Sequence, residues 1–349
     1  MVKRLFLVLL VCTAAALCIF AGETTVKGGS SLAGGMLIRN GNAAPVVSYA
    51  FSPYLNVVYT AQGSFRSELK ASTNVVNVND LVRSSSFSLD KAYVRFRIPT
   101  FGDLKLTTIA GKAPVSWGIG QLYRGGDVLF GKPLSNSEAG VDVENTIWVL
   151  SLSQSLGNGL SVELVFVPAV EDIPNERFGV LVKKSFMDGG VLGYLKEVRL
   201  AYACEPEADE SHRASVLMDA NLLVDLNVCV ESRFRSAKDI RLVANAMRAF
   251  SIDTELSSHT LTTYVSYQGD FHEGSHDLCA YVSFDATERL SLAVVQSNSW
   301  KNDAYTFGCT LSSSLAVANG VDASVAANVS KAHRSNPSFS VVGGLEYSF

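Results

Sequence analysis

The chain has 349 residues, 48% of them apolar and 18% charged, with a formal net charge of −4 at pH 7. That much apolar content excludes a disordered chain, and the acidic balance leaves no basic stripe for nucleic-acid phosphates. Of the six cysteines, the four beyond the leader-like opening segment, Cys204, Cys229, Cys279 and Cys309, show no C-x-x-C spacing, which argues against a zinc ribbon or a thioredoxin-type centre and leaves their pairing open.

Lys3 and Arg4 precede an unbroken apolar run from Leu5 to Ala21, with a small-residue cleavage position before Gly22. This is the pattern of a secretory signal, and it predicts export through the Sec route with residues 1–21 removed and 22–349 as one domain. A membrane-anchor helix is the alternative, and its length is borderline. Losing the two positive charges takes the net charge from −4 to −6. Beyond residue 21 no apolar run reaches the length of a membrane helix.

Period-two alternation dominates from there on. Ala92, Val94, Phe96 and Ile98 alternate with Tyr93, Arg95 and Arg97, and Leu104 and Leu106 with Lys105 and Thr107. Leu160, Val162, Leu164 and Phe166 share a face, as do Val224, Leu226, Val228 and Val230, and later Val321, Ala323, Val325, Ala327 and Val329. Each run has one dry and one wet face, as half-buried strands do. The stretches 155–161, 285–290 and 316–323 are expected to be tight hairpin turns. Residues 240–256 are the one place where a helical period competes.

HEGSH, His272 to His276, matches the H-E-x-x-H signature of zinc proteases. That chemistry needs a helix, which places both histidines on one face. Here the flanks are strand-like, and Gly269, Asp270, Gly274 and Ser275 are turn formers. A polar hairpin loop over 269–277 is the expectation, with His272, Glu273 and His276 as a weak candidate for adventitious metal. No G-x-S-x-G, P-loop or dinucleotide fingerprint occurs. No enzyme activity and no cofactor are expected.

An all-β chain of this kind is a soluble sandwich or a transmembrane barrel. Three features favour the barrel: the export signal, a composition with 12 Tyr, 18 Phe and many Ser and Asn, and the final segment SFSVVGGLEYSF, in which Phe339, Val341, Gly343, Leu345, Tyr347 and Phe349 fall on one face. This ending resembles the closing strand of outer-membrane β-barrels, in which the barrel-assembly machinery reads a terminal aromatic residue. The resemblance gives Tyr347 and Phe349 that assembly role. At roughly 20–25 residues per strand and connection the chain predicts an antiparallel up-and-down barrel of about 14 strands, with 12 to 16 as the range.

Residues 111–145 break the alternation in a long glycine-rich stretch, and connections of that length are usually functional. Within it, WGIGQLYRGGDVLF resembles a pattern in outer-membrane channels related to carbohydrate- and alginate-type porins. The resemblance implies an inward-folded segment narrowing the pore, with Trp117 and Asp127 at matching positions and Tyr123 and Arg124 between them. The short Asn-Pro-Ala motif of fatty-acid transporters is absent; NGNAAP at 40–45 departs from it. Arg95, Arg97 and Lys105, with Lys112 and Arg124, are expected to form a basic lumen wall opposed by Asp127 and Glu138. The alternative is ordinary cross-strand pairing among these charges.

The expected function is passive diffusion of small hydrophilic solutes through an outer-membrane channel, with selectivity set by pore width and lumen charge. Its partners are outer-membrane lipid, the assembly machinery and small solutes, with oligomerisation open and nucleic acid excluded. The rivals are a barrel releasing hydrophobic substrates sideways, for which Pro168 and Pro174 are weak hints, and a surface adhesin or structural barrel with a filled lumen.

Overall fold

A strand with unpaired edges cannot sit in hydrocarbon, because each exposed N–H and C=O loses its water without gaining a partner. Closing the sheet on itself removes the problem. The computed structural model describes residues 22–39, 42–61, 64–78, 82–99, 105–115, 117–118, 123, 128–129, 146–170, 175–186, 194–206, 212–222, 224–233, 240–253, 258–302 and 304–348. These form eighteen strands: β1 (Glu23–Arg39), β2 (Asn42–Ala61), β3 (Phe65–Val78), β4 (Val82–Pro99), β5 (Lys105–Pro114), β6 (Thr146–Gly157), β7 (Leu160–Val167), β8 (Arg177–Ser185), β9 (Leu195–Cys204), β10 (His212–Asn221), β11 (Asp225–Arg233), β12 (Ile240–Asp253), β13 (Ser258–Asp270), β14 (Ser275–Asp285), β15 (Leu290–Lys301), β16 (Ala304–Ala318), β17 (Val321–Ala332) and β18 (Ser338–Ser348).

Each strand pairs antiparallel with its chain neighbours, and β18 returns to β1 in a register running from Gly29↔Ser348 to Arg39↔Ser338. The sheet is therefore a closed up-and-down barrel, and the sandwich is ruled out because no strand is left with a free edge. The strand number, eighteen rather than about 14, has a simple cause. Most connections are far shorter than the sequence estimate allowed; residues 158–159 and 319–320 join β6 to β7 and β16 to β17 with two residues each. The first of these is Asn158-Gly159, both at positive φ (49° and 73°), which matches the twist of a two-residue hairpin.

Alternation sorts the side chains onto two faces. Outward lie Leu150, Leu164, Val180, Leu200, Val216, Val265, Val294, Leu311, Val325 and Val341, all exposed, an apolar surface of the kind that faces lipid. Aromatic groups border this band. Near the β13–β14 turn lie Tyr267 and His276, whose rings stack, and the tilted pair Trp300–Tyr305. At the other end lie Tyr59 against Phe65 and His259 against Phe284. His276 and Phe284 are eight residues apart on β14, about 27 Å of strand, or roughly 20 Å of height at a tilt of about 40°, of the order of the ~25 Å apolar band of such barrels. β12, where helix competed, is a strand because β11 and β13 complete its ladder on both sides.

This sidedness is testable by unfolding in lipid vesicles. Val265→Lys, in mid-strand on the outer face, should destabilise the barrel by about 2–4 kcal/mol. Ser312→Lys, on the inner face of β16, should change stability by less than about 1 kcal/mol; equal losses would contradict the assignment of faces.

Candidate functional site

The chain leaves the wall at Pro114 and re-enters it at Thr146. A segment entering a barrel lumen carries backbone carbonyls with no ladder partner, and these must be met by side chains from the wall. Four such contacts are present. Arg199 Nη1 donates to Trp117 O at 2.8 Å, Asn245 Nδ2 to Tyr123 O at 3.2 Å, Arg213 Nη1 to Val128 O at 3.4 Å, and Arg177 Nη1 to Leu129 O. The donors stand on β9, β12, β10 and β8. The described residues of the segment, Trp117, Tyr123, Val128 and Leu129, thus lie against the inner face of the wall.

Apolar packing reinforces each anchor. Trp117 (2% exposed) joins Ala113, Val115, Val128 and Leu129 against Val149, Val165, Val167 and Leu181 of the wall. Gly179 makes room for it, since a β-carbon there would stand 2.5 Å from the indole. Tyr123 reaches a second cluster, Leu217, Val243, Tyr264, Cys279 and Val295, on β10 and β12–β15. Beside it Ser266 donates to Asn245 Oδ1, which orients the amide that holds Tyr123. Behind Val128 and Leu129, Glu205 binds both arginines, Arg177 Nε and Arg213 Nη2 each lying 3.1 Å from Oε2, with Asn175 on the other oxygen at 3.2 Å. A buried carboxylate between two guanidiniums keeps both aimed at the segment.

The lumen is therefore unequal. Midway along β6–β10 and β12–β14 inward residues are buried, among them Val149, Val167 and Val243 at 0% and Leu217 at 1%. On β16–β18 and β3–β4 the inward residues Ser314, Asp322, Ser324, Glu346, Asn74, Ser86 and Ser88 are exposed. A cavity of about 700 Å³ opens along the first of these arcs, at the end where β1 begins and β18 ends, lined by Asp285, Glu288, Arg289, Ser314, Asp322 and Glu346 among others.

Arg95 and Arg97 face the lumen, in register with Arg66 and with the inward row of β5. Lys112, expected on the same wall, lies on the opposite face: it is an odd number of residues from Ile109, shares a row with Ala92 and Trp148, and donates to Leu89 O at 2.6 Å. The side chain of Lys105, and Arg124, Asp127, Glu138 and Phe349 altogether, lie outside the described residues. So do Ile119 and Gly120 of the W-G-x-G stretch, of which Trp117 and Gly118 are described. Tyr347 points outward, exposed, opposite Ser30 of β1.

HEGSH is the β13–β14 turn. Asp270 Oδ1 accepts from the His272 and Glu273 amides, and Gly274 takes φ +61°. Glu273 pairs with Lys301 at 2.8 Å, which holds its carboxyl below the usual carboxylate range. His276 Nδ1 instead contacts Tyr267 Oη at 2.9 Å. The three metal candidates are not brought together, and among the described residues no cluster of three or more His, Cys, Asp or Glu side chains could hold an ion.

The residues that sequence reasoning missed are Arg177, Arg199, Arg213, Asn245, Glu205 and Gly179. Parity would have put the charged ones on the wet face; nothing local says that their partners are carbonyls dozens of residues away.

A closed eighteen-stranded barrel with an apolar exterior and an inward-folded segment is an outer-membrane-type barrel. The same fold occurs in Pseudomonas aeruginosa OprD (TM-score 0.55, 11% identity, 94% of this chain and 95% of that one). It also occurs in P. aeruginosa OccK7, or OpdD (TM-score 0.58, 9% identity, 94% and 98%). A third is Escherichia coli Wzi, described as a carbohydrate-binding β-barrel involved in group 1 capsule assembly (TM-score 0.61, 11% identity, 92% and 84%). No protein-family profile and no curated protein sequence matches the chain.

The anchors predict the behaviour of Trp117 when it is the only tryptophan, with Trp148 and Trp300 changed to Phe. Arg199→Met should shift its fluorescence to the red and expose residues 115–129 to limited proteolysis, and Gly179→Leu should do so more strongly by displacing the indole. Emission unchanged in both variants would show that the segment is held by something else.

Proposed function

We propose that the protein is an outer-membrane channel through which small hydrophilic solutes diffuse passively. The observation that carries this reading is the division of the lumen. The inward-folded segment packs against one arc of the wall, and the other arc keeps exposed Ser, Asn, Asp and Glu side chains on its inner face. A filled structural barrel would bury both arcs. An eighteen-stranded barrel is wide enough for an aqueous path beside the segment, and its likeness to Wzi, described as an outer membrane protein, supports the membrane location. Selectivity comes from the width left beside the segment and from the charges lining the open arc. No reaction is part of this reading, and outer-membrane lipid and the barrel-assembly machinery are the partners it requires.

The sideways release of hydrophobic substrates is less well supported. Pro168 ends β7 without breaking the ladder, which continues from β7 into β8, and Pro174 lies outside the described residues. Carbohydrate binding, the property named for Wzi, is the second reading, since part of the lumen is filled.

Purified protein refolded from denaturant and inserted in planar bilayers should give stepwise ohmic conductance. Tyr123→Ala, which removes the anchor at the far wall, should raise the single-channel conductance and its noise. Silent bilayers with a correctly folded barrel would favour the filled-lumen reading.

A further inference from the structure

Two arcs of opposite charge face the open lumen at one end of the barrel, the end where β1 begins and β18 ends. The first runs from β14 to β18. Asp285, Glu288, Asp322 and Glu346 line one cavity there with Arg289 as the single cation. Asp322 and Glu346 are direct cross-strand partners, a like-charge juxtaposition that costs stability in a sheet. The second arc runs over β3 and β4. Arg66 stands opposite Arg95 and Lys70 opposite Lys91, with Arg97 one step nearer the rim, so five cations share this wall with two carboxylates, Glu68 and, at the bulge of β4, Asp90, which accepts from Ser88. Between the arcs β1 contributes Glu23 and Lys27, which balance each other.

The charges differ in how far they are already used. Glu68 is held by Arg66 at 2.9 Å, by Lys91 at 3.3 Å and by Tyr93 Oη at 2.8 Å, and the Lys70 ammonium lies 5.3 Å from the Tyr54 ring centroid. The ion pairs among the described residues take in Glu68, Glu197, Glu205, Asp225, Asp270 and Glu273. Asp322, Glu346, Arg95 and Arg97 stand outside them, and Asp322, Glu346 and Arg97 are exposed.

Such a mouth holds a field directed across the pore rather than along it. The two arcs carry similar net charge, so neither sign of ion is preferred over the other. A solute bearing both charges gains by aligning its dipole with the field, which an uncharged solute cannot do to the same degree. We infer that this mouth favours small zwitterions, of the amino-acid type, over uncharged solutes of the same size. This inference rests on the channel reading and adds the solute class. The side chains that carry it are Arg95 and Arg97 on one arc and Asp322 and Glu346 on the other.

The test compares alanine with lactamide, its near-isosteric neutral analogue, in the swelling of proteoliposomes at low ionic strength. The ratio of the two rates is the readout, because it does not depend on how much protein has folded. Alanine should enter faster by on the order of threefold. The ratio should approach one in ~1 M salt, where the screening length is about 3 Å. It should also approach one in Asp322→Asn/Glu346→Gln and in Arg95→Gln/Arg97→Gln. A ratio of one in the unaltered protein overturns the inference while leaving the channel standing, as does a preference that survives both double variants. A strong cation preference in reversal potentials would likewise overturn it, by showing that the acidic arc acts alone. If neither solute enters, the channel reading itself falls and takes this inference with it.

Discussion

The backbone hydrogen bond, and the requirement that none be left unpaired in hydrocarbon, is the constraint on which everything else depends. It explains why eighteen strands form a ring and not a stack of sheets, and why the last strand returns to the first. It also explains why the wall can be thin. With the ladder closed, each side chain is free to serve the face it happens to point to. The outside needs only to be apolar, and the inside is available for whatever the lumen does.

The same requirement reappears inside the barrel. A segment that leaves the sheet brings carbonyls into a partly dry space, and three arginines and one asparagine meet them. Arginine suits this work, since its rigid fork can bind a carbonyl and a carboxylate at once. Arg177 and Arg213 do so with Glu205 behind them. These cations serve the segment's position and are not free to attract solute. The charges that can act on solutes are those of the open arcs, and this division of labour between two sets of charged residues is built on the asymmetry of the lumen.

The two faces of the wall also show why cross-strand register matters more here than composition. Lys112 lies one residue from Gly111 and Ala113, both on the lumen side, yet it belongs to the outer row with Ala92 and Trp148. Its aliphatic stem passes along the wall and its ammonium turns to a backbone carbonyl, a way for a cation to tolerate such a position. HEGSH shows the converse. Five residues that on a helix would make a metal site become, in a strand–turn–strand setting, a capped hairpin whose Glu273 and His276 serve different neighbours.

Period two is a local property, so the sequence by itself determined that the chain is all-β, that Arg95 and Arg97 face the wet side, where several turns fall and that the alternation breaks in a long stretch, whose first residues, 111–114, nonetheless stay in the wall as the end of β5. Strand number was less legible, because it depends on connection lengths and on how much of the chain the inward segment takes up. Only the tertiary structure decided which arc of the lumen the segment would fill, which arginines would hold Trp117 and Leu129, and that the acidic counterpart of the basic wall lies on β14–β18. Those pairings join residues 48 to 122 positions apart, or strands brought together only when the ring closes. Alternation records which face a residue takes, not what it meets there.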